Sequence, residues 1–363
     1  MILGVFTGLT EHGGIQRYGR HAAAVIAMLA RDRGEDYRFL GLNDPAGKHE
    51  IDSAGVRFSI EGFARNKPAM IRAVLSSARA TRVAYLNHPN LAPLGLALRA
   101  LNPGSRYIVS TYGFEVWEPL PSLRGFALQR AERVTAIAEF NAVKVVELQH
   151  VAPERIAIVP CALDPEFSIP SDATSTRPRP AEPPILLTVA RLEGAERGEY
   201  KGVDTVIEAM PEVLAAFPGV RYVVVGDGDD RPRLEELAHR VGLQDRVTFA
   251  GAVDQAALRA FYETCEVFVM PSRTEGFGIV FLEAMALGKP VVGGNHGGTP
   301  EVWADGTAGF LVDHGDVHAL AGRLRLLLGD FELRARMGRA GRALVSSKFS
   351  FARFQQNFGE LLL

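Results

Sequence analysis

Short β-rich runs alternate with amphipathic stretches along nearly all of this 363-residue chain, and the alternation breaks off once and then restarts. Such a rhythm builds parallel sheets wrapped by helices, because two parallel strands must be joined by a crossover that is usually helical. The runs Ile2–Phe6, Tyr37–Leu40, Val56–Ile60, Val83–Leu86, Tyr107–Ser110, Val134–Ala138 and Ile156–Val159 read as strands of a first sheet. A second set follows at Ile185–Ala190, Tyr222–Gly226, Val247–Ala250, Val267–Met270, Val291–Gly293 and Phe310–Val312. Between the sets, the segment from Ser168 to Pro180 is proline-rich and polar, a linker by composition. One hydrophobic core rarely serves a chain of this length. We therefore expect an α/β protein with Rossmann-like domains at 1–167 and 185–345, a linker at 168–184, and a terminal helical stretch at 346–363.

Composition limits the function classes. Hydrophobic residues make up 47% and charged residues 23%, with a formal charge of −2, as in an ordinary globular protein. The first 180 residues carry 21 Lys and Arg against 17 Asp and Glu; the remainder carries 19 against 25. That modestly basic first part falls short of a nucleic-acid footprint, yet suits an acidic acceptor or peripheral contact with an anionic membrane. Cys161 and Cys265 are too few and too distant in sequence for a disulfide framework or a metal knuckle. No apolar run reaches the ~18 residues that a spanning helix needs. The expected location is cytoplasmic, with peripheral contact on the inner face of the membrane.

Chemistry concentrates around Glu275 and Glu283. From Ile279 to Leu287 every residue except Glu283 is apolar, which reads as a buried helix closed by Gly288 and Pro290. An unpaired carboxylate there costs several kcal/mol, so Glu283 must meet a partner or a polar ligand such as a diol. The helix starts near Gly278, where free N–H groups and the positive dipole end favour phosphate. Arg191 and Lys201 flank a polar loop between strand and helix and could clamp a diphosphate from two sides. Near the amino end, Gly13 and Gly14 let backbone approach a ligand at a helix start, and Arg17 lies one turn further on.

Two glutamates separated by seven residues around a Gly-Phe-Gly turn resemble the signature of the family-4 retaining glycosyltransferases of the GT-B fold. The resemblance extends through Thr188–Leu192, Lys201-Gly202, Val224–Gly228, Val267–Ser272, Gly297–Glu301 and Gly309–Val312, in the expected order, and more thinly through Gly13–Arg17 and Asn87–Leu94. It implies two Rossmann-like domains facing across a cleft, with the terminal helix returning to the first domain. It also implies a nucleotide-diphosphate sugar as donor, a carbohydrate or lipid-linked acceptor, no metal and no cofactor, with a UDP-sugar favoured over GDP-mannose. Glu275, Arg191 and Lys201 would then be catalytic, Glu275 binding hydroxyls of the transferred sugar and the two cations its diphosphate. Gly14, Gly276, Phe277, Gly278 and Ile279 would bind the donor, with Glu283 on the ribose. Arg17, His88 and Tyr112 would meet the acceptor. The chain departs from the family at Tyr112, where relatives often carry histidine, and in the loop between Leu192 and Lys201, which is long and adds Arg197.

Rival readings stay open at this point. Asp227-Gly228-Asp229 has the form of a metal-binding Asp-x-Asp, but it follows a strand and precedes Arg231-Pro232, so turn formation and helix capping account for it. A sugar-nucleotide 2-epimerase uses the same fold and needs no acceptor. A non-catalytic sugar-nucleotide-binding subunit would share the binding residues.

Overall fold

A computed structural model describes residues 1–11, 13–167, 183–193 and 201–363 of the chain. Most of the expected linker, residues 168–182, and Arg197 lie outside the described residues. The chain divides into two compact units, one made of Met1–Glu166 with Phe349–Leu363, the other of Phe167–Lys348.

The first unit is built on an eight-stranded sheet among the described residues: β1 (Ile2–Phe6), β2 (Tyr37–Gly41), β3 (Gly47–Ser53), β4 (Val56–Gly62), β5 (Val83–Leu86), β6 (Arg106–Thr111), β7 (Arg133–Ala136) and β8 (Ile156–Ile158). Their order is β3-β4-β2-β1-β5-β6-β7-β8. All neighbours are parallel except β3 and β4, a hairpin at the sheet edge. Strand β3 is absent from the sequence expectation because Gly-Lys-His-Glu-Ile-Asp-Ser offers almost no apolar alternation. Its turn supplies the missing signal: Ala54 and Gly55 both have positive φ (53° and 73°), the primed geometry that suits strand twist.

Helices α1 (Gly14–Asp32), α2 (Lys67–Ser76), α3 (Ala92–Leu101), α4 (Ser122–Gln129) and α5 (Glu139–Gln149) connect these strands. Met70, Val74, Leu98, Ala127, Leu128 and Val145 from α2 to α5 share one cluster with Leu3, Val5, Leu86 and Val109 of the sheet. The opposite side is covered by α1. Against it lies the last helix, labelled α13 (Phe351–Glu360). Its aromatic stripe fixes that packing: Phe354 meets Tyr18 at 5.0 Å between ring centroids and Phe358 meets Tyr85 at 5.0 Å, both edge-on.

The second unit carries six parallel strands, β9 (Ile185–Val189), β10 (Arg221–Val225), β11 (Val247–Gly251), β12 (Val267–Met270), β13 (Val291–Gly294) and β14 (Gly309–Val312), in the order β11-β10-β9-β12-β13-β14. Helices α6 (Val203–Ala216), α7 (Arg231–Arg240), α8 (Gln255–Thr264), α9 (Ile279–Ala286), α10 (Thr299–Val302), α11 (Val317–Gly329) and α12 (Phe331–Lys348) complete it. The interior strands of this sheet are near-continuous apolar residues buried on both faces, as parallel sheets require, while the edge strand β11 is partly exposed.

Strand order locates the crevices. In the first sheet the winding reverses between β1 and β5, in the second between β9 and β12. Open α/β sheets bind ligands beyond the carboxyl ends of strands at such switch points.

Candidate active site

In the second unit, the loops after β9 and β12 bring Lys201 and Glu275 together. Lys201 Nζ stands 2.6 Å from Glu275 Oε2, with side chains only 13% and 17% exposed. Tight backbone packing holds both in place. Gly202 has φ +72°, and a Cβ on it would fall 2.4 Å from the Pro271 carbonyl oxygen, so only glycine lets α6 begin there. The Glu275 carbonyl accepts from the Gly298 amide at 2.7 Å, and a Cβ on Gly297 would lie 2.4 Å from that same oxygen. A glycine loop after β13 thus clamps the main chain of Glu275.

Helix α9 begins directly behind this pair. Its N-cap is Gly278, at φ +88°, with no side-chain cap. The Phe281 amide closes on the Gly278 carbonyl at 3.0 Å, and the helix dipole adds positive potential at this end. Gly276, Phe277 and Ile279 lie at the same turn. Arg191 leaves the carboxyl end of β9; it is exposed and stands 3.6 Å from Glu193. The structure thus groups Lys201, Glu275 and the α9 start at the switch point, with Arg191 on the adjoining strand end.

Glu283 is 1% exposed, and its Oε2 accepts a 2.7 Å hydrogen bond from the Tyr262 hydroxyl. This is one partner that the buried carboxylate required. Tyr262, on α8, is fully buried against Phe167 and Phe268. Sequence reasoning missed it because the two residues lie 21 positions apart on different helices, and only the charge conflict at Glu283 hinted that a donor must exist.

In the first unit, Gly14 starts α1 after β1. The preceding loop is pinned from below by Asp44, which is wholly buried. It accepts from the Leu9 amide at 2.8 Å, the Thr10 amide at 2.8 Å and the Thr10 hydroxyl at 2.7 Å. Arg17 is not turned freely outward: its Nε lies 2.9 Å from Asp164 Oδ2, and His21 Nε2 lies 2.7 Å from Oδ1. Burial raises the Asp164 pKa, but the His21 hydrogen bond and the Arg17 charge outweigh it and hold the carboxyl below its usual range. An anionic acceptor at Arg17 would compete with Asp164.

His88 follows β5 and caps a short 3-10 turn, its Nδ1 accepting from the Asn90 amide at 3.1 Å. With Nδ1 as acceptor, the proton of the neutral ring sits on Nε2. Burial, then the nearby Arg124 charge, pushes its pKa down to about 4. Since the unfolded value is near 6.5, the unfolded chain takes up the proton first as pH falls. This contribution is whole above pH 6.5 and is lost between there and pH 4, by about 2 to 3 kcal/mol after allowance for screening. The variant His88→Asn keeps a capping acceptor but does not titrate. Denaturant unfolding at pH 7 and pH 4.5 should show the parent losing about 2 kcal/mol more than this variant; equal losses would refute the assignment.

Tyr112 is only 7% exposed, its ring 5.2 Å from that of Tyr18 and its hydroxyl buried beside that of Tyr85. Burial, above all, raises its pKa. In this conformation its phenol faces the interior and offers nothing to an acceptor. The amides of Tyr112 and Gly113 are held by Glu115 Oε1.

Residues 174–344 match the family described as Glycosyl transferases group 1. Over 276 residues the chain is 35% identical to the GDP-mannose-dependent alpha-(1-6)-phosphatidylinositol monomannoside mannosyltransferase of Mycobacterium tuberculosis, covering 71% of this chain and 70% of that protein. It is 37% identical over 169 residues to the alpha-D-kanosaminyltransferase of Streptomyces kanamyceticus, covering 47% of this chain and 42% of that one. Among solved structures, sucrose-phosphate synthase from Thermosynechococcus elongatus superposes with a TM-score of 0.79 at 23% identity, over 99% and 98% of the two chains. HepE of Anabaena in complex with UDP gives 0.78 at 20% identity, over 99% of each. The fold is GT-B.

Proposed function

We infer the reaction from one premise: this chain belongs to the group 1 glycosyl transferases and is a glycosyltransferase. The proposed reaction moves a hexosyl unit, with retention and without a metal, from a nucleotide-diphosphate sugar to a hydroxyl of a glycolipid or polysaccharide acceptor. The observation that carries this reading is the 2.6 Å Lys201–Glu275 pair in front of the uncapped start of α9.

Breaking the sugar–phosphate bond leaves positive charge on the anomeric carbon and negative charge on the diphosphate. In the donor complex Lys201 would shift from Glu275 to the diphosphate, joined by Arg191 and the amides of Gly278 and Ile279, and Glu275 would turn to the sugar hydroxyls. Fixed positive groups aimed at the developing charge do the work a divalent ion does elsewhere. The acceptor oxygen then bonds to the anomeric carbon on the face the diphosphate leaves, and its proton passes to a phosphate oxygen.

The family resemblance alone favours a UDP-sugar. The GDP-mannose dependence of a relative 35% identical over 276 residues supports GDP-mannose instead. Glu283 would bind the ribose diol, with Tyr262 holding its carboxylate in register. Thermal stabilisation by UDP, GDP and their sugar conjugates, with and without EDTA, tests the donor. A saturating ligand at ~100 times its dissociation constant adds about 2.7 kcal/mol. Retained stabilisation by GDP and GDP-mannose in EDTA supports the reading; no stabilisation by any nucleotide refutes it.

The same assay tests the ribose contact. Wild-type protein should bind the ribonucleotide about tenfold more tightly than its 2′-deoxy analogue, and Tyr262→Phe should erase most of that ratio, since a hydrogen bond to a charged group contributes about 1.5–3 kcal/mol. If Tyr262→Phe keeps the full ratio, Tyr262 serves packing alone.

A further inference from the structure

Between residues 65 and 130 the chain carries nine Lys and Arg against two Asp and Glu, the steepest charge imbalance in the first unit. Two of those cations are absorbed internally: Arg82 pairs with Glu35 at 2.9 Å and Arg106 with Glu132 at 2.9 Å. Arg72 on α2, Arg79 just after it, Arg99 on α3, and Arg124 and Arg130 on and just after α4 form no ion pair among the described residues, and all are exposed. These helices are neighbours, α2 against α3 and α3 against α4, on one side of the sheet. Their inner faces supply the core with Met70, Val74, Leu98, Ala127 and Leu128.

Apolar side chains stand among these cations on the outer face. Ile71 is 42% exposed, Leu101 57%, Leu123 61% and Phe126 46%. The Arg130 guanidinium carbon lies over the Phe126 ring, 4.2 Å from its centroid, so the charge and the ring form one surface. Helix α4 itself, Ser-Leu-Arg-Gly-Phe-Ala-Leu-Gln, contains no acidic residue. Scattered exposed leucines need no explanation, but large apolar side chains interleaved with unpaired arginines over adjacent helices do. A polyanion such as nucleic acid would account for the arginines and leave Leu123 and Phe126 without a role. A neutral protein partner would leave the charge unmatched.

We propose that the outer face of α2, α3 and α4 seats the protein on an anionic lipid surface, the arginines meeting headgroup phosphates and Leu123 and Phe126 entering the acyl boundary. Such a surface attracts each nearby Lys or Arg, and shallow burial of apolar side chains adds to the attraction. The site deepens the reading of a glycolipid acceptor, because it would hold the enzyme where lipid-linked substrates reside. Its test uses no sugar nucleotide, so it stands or falls apart from that reading.

The experiment is co-sedimentation of the full chain with vesicles of phosphatidylcholine alone or with about 30% phosphatidylglycerol, at low and high salt. Wild-type protein should pellet with the anionic vesicles at low salt, at least tenfold more than with the neutral ones, and should be released by salt. Arg124→Glu with Arg130→Glu, and separately Leu123→Ser with Phe126→Ser, should each lower the partition coefficient at least tenfold while leaving the melting temperature near that of the parent. All four residues are exposed, so folding should survive. Failure of the wild type to bind anionic vesicles at low salt overturns the proposal, as does unchanged binding by both variants or equal retention on a nucleic-acid column with no vesicle binding.

Discussion

Replacing Glu275 by Gln should lower the rate of sugar transfer by about 10² to 10³-fold, the usual cost of removing one preorganised electrostatic group from a reacting centre. Glutamine keeps the shape and leaves the Gly298-to-Glu275 main-chain contact intact, while removing the charge that faces Lys201 at 2.6 Å. Nucleotide affinity should change little or tighten, because Lys201, no longer neutralised, offers its full charge to the diphosphate. Steady-state kinetics with a separately measured nucleotide dissociation constant separates the two. A parallel fall in affinity and rate would mean that Glu275 holds the site together and does not act on the sugar. Full retention of rate would remove it from the chemistry. A non-catalytic binding subunit would show no transfer in either form, which also disposes of that rival.

The second large effect is on stability. Gly294 ends β13, and a Cβ there would fall 1.9 Å from the carbonyl oxygen of Ser272, a backbone atom that cannot swing away. Gly294→Ala must therefore push apart the loops that follow β12 and β13, which also carry Glu275 and Gly297. Overpacking of this kind costs about 3 kcal/mol, or a melting point lower by about 6 to 12 °C in a unit of this size. Gly322 on α11 is the control, since a Cβ added there would meet nothing within 4 Å. Alanine there should be neutral or stabilise by up to about 1 kcal/mol, through helix propensity. Thermal unfolding by circular dichroism compares them, and equal melting points would refute the steric argument.

What the sequence disclosed and what it withheld follow from the range of the forces involved. Thirteen of the fourteen strands among the described residues could be placed because each carries its own local signal, a near-continuous apolar run in the central parallel strands and an apolar/polar alternation in β4. The edge strand β3 escaped because it is polar and leans on β4 and on a turn at Ala54-Gly55. At the site, the buried helix α9 and its dissonant Glu283 could be read from nine residues. The donor on Tyr262 could not, since it comes from a different helix. Nor could the Asp164 partner of Arg17, which is distant in sequence and brought in by the end of the first unit. Pairing between distant polar groups is decided by tertiary approach, and no local pattern encodes it.

One contact near the chain's end bears on how the protein could be taken apart. The Leu163 amide donates to the Phe349 carbonyl at 2.9 Å, so the chain quits the first unit and re-enters it at adjacent points. Topologically the second unit is an insertion whose two ends meet. It can be excised as one continuous segment, 167–348, and the gap left behind is narrow enough for a short peptide splice. The first unit, by contrast, cannot be obtained by truncation: stopping at Glu166 leaves out α13 and uncovers Tyr18 and Tyr85. Exchange of the second unit between relatives should therefore be done as a cassette swap at these two seams, with the last fifteen residues kept from the recipient.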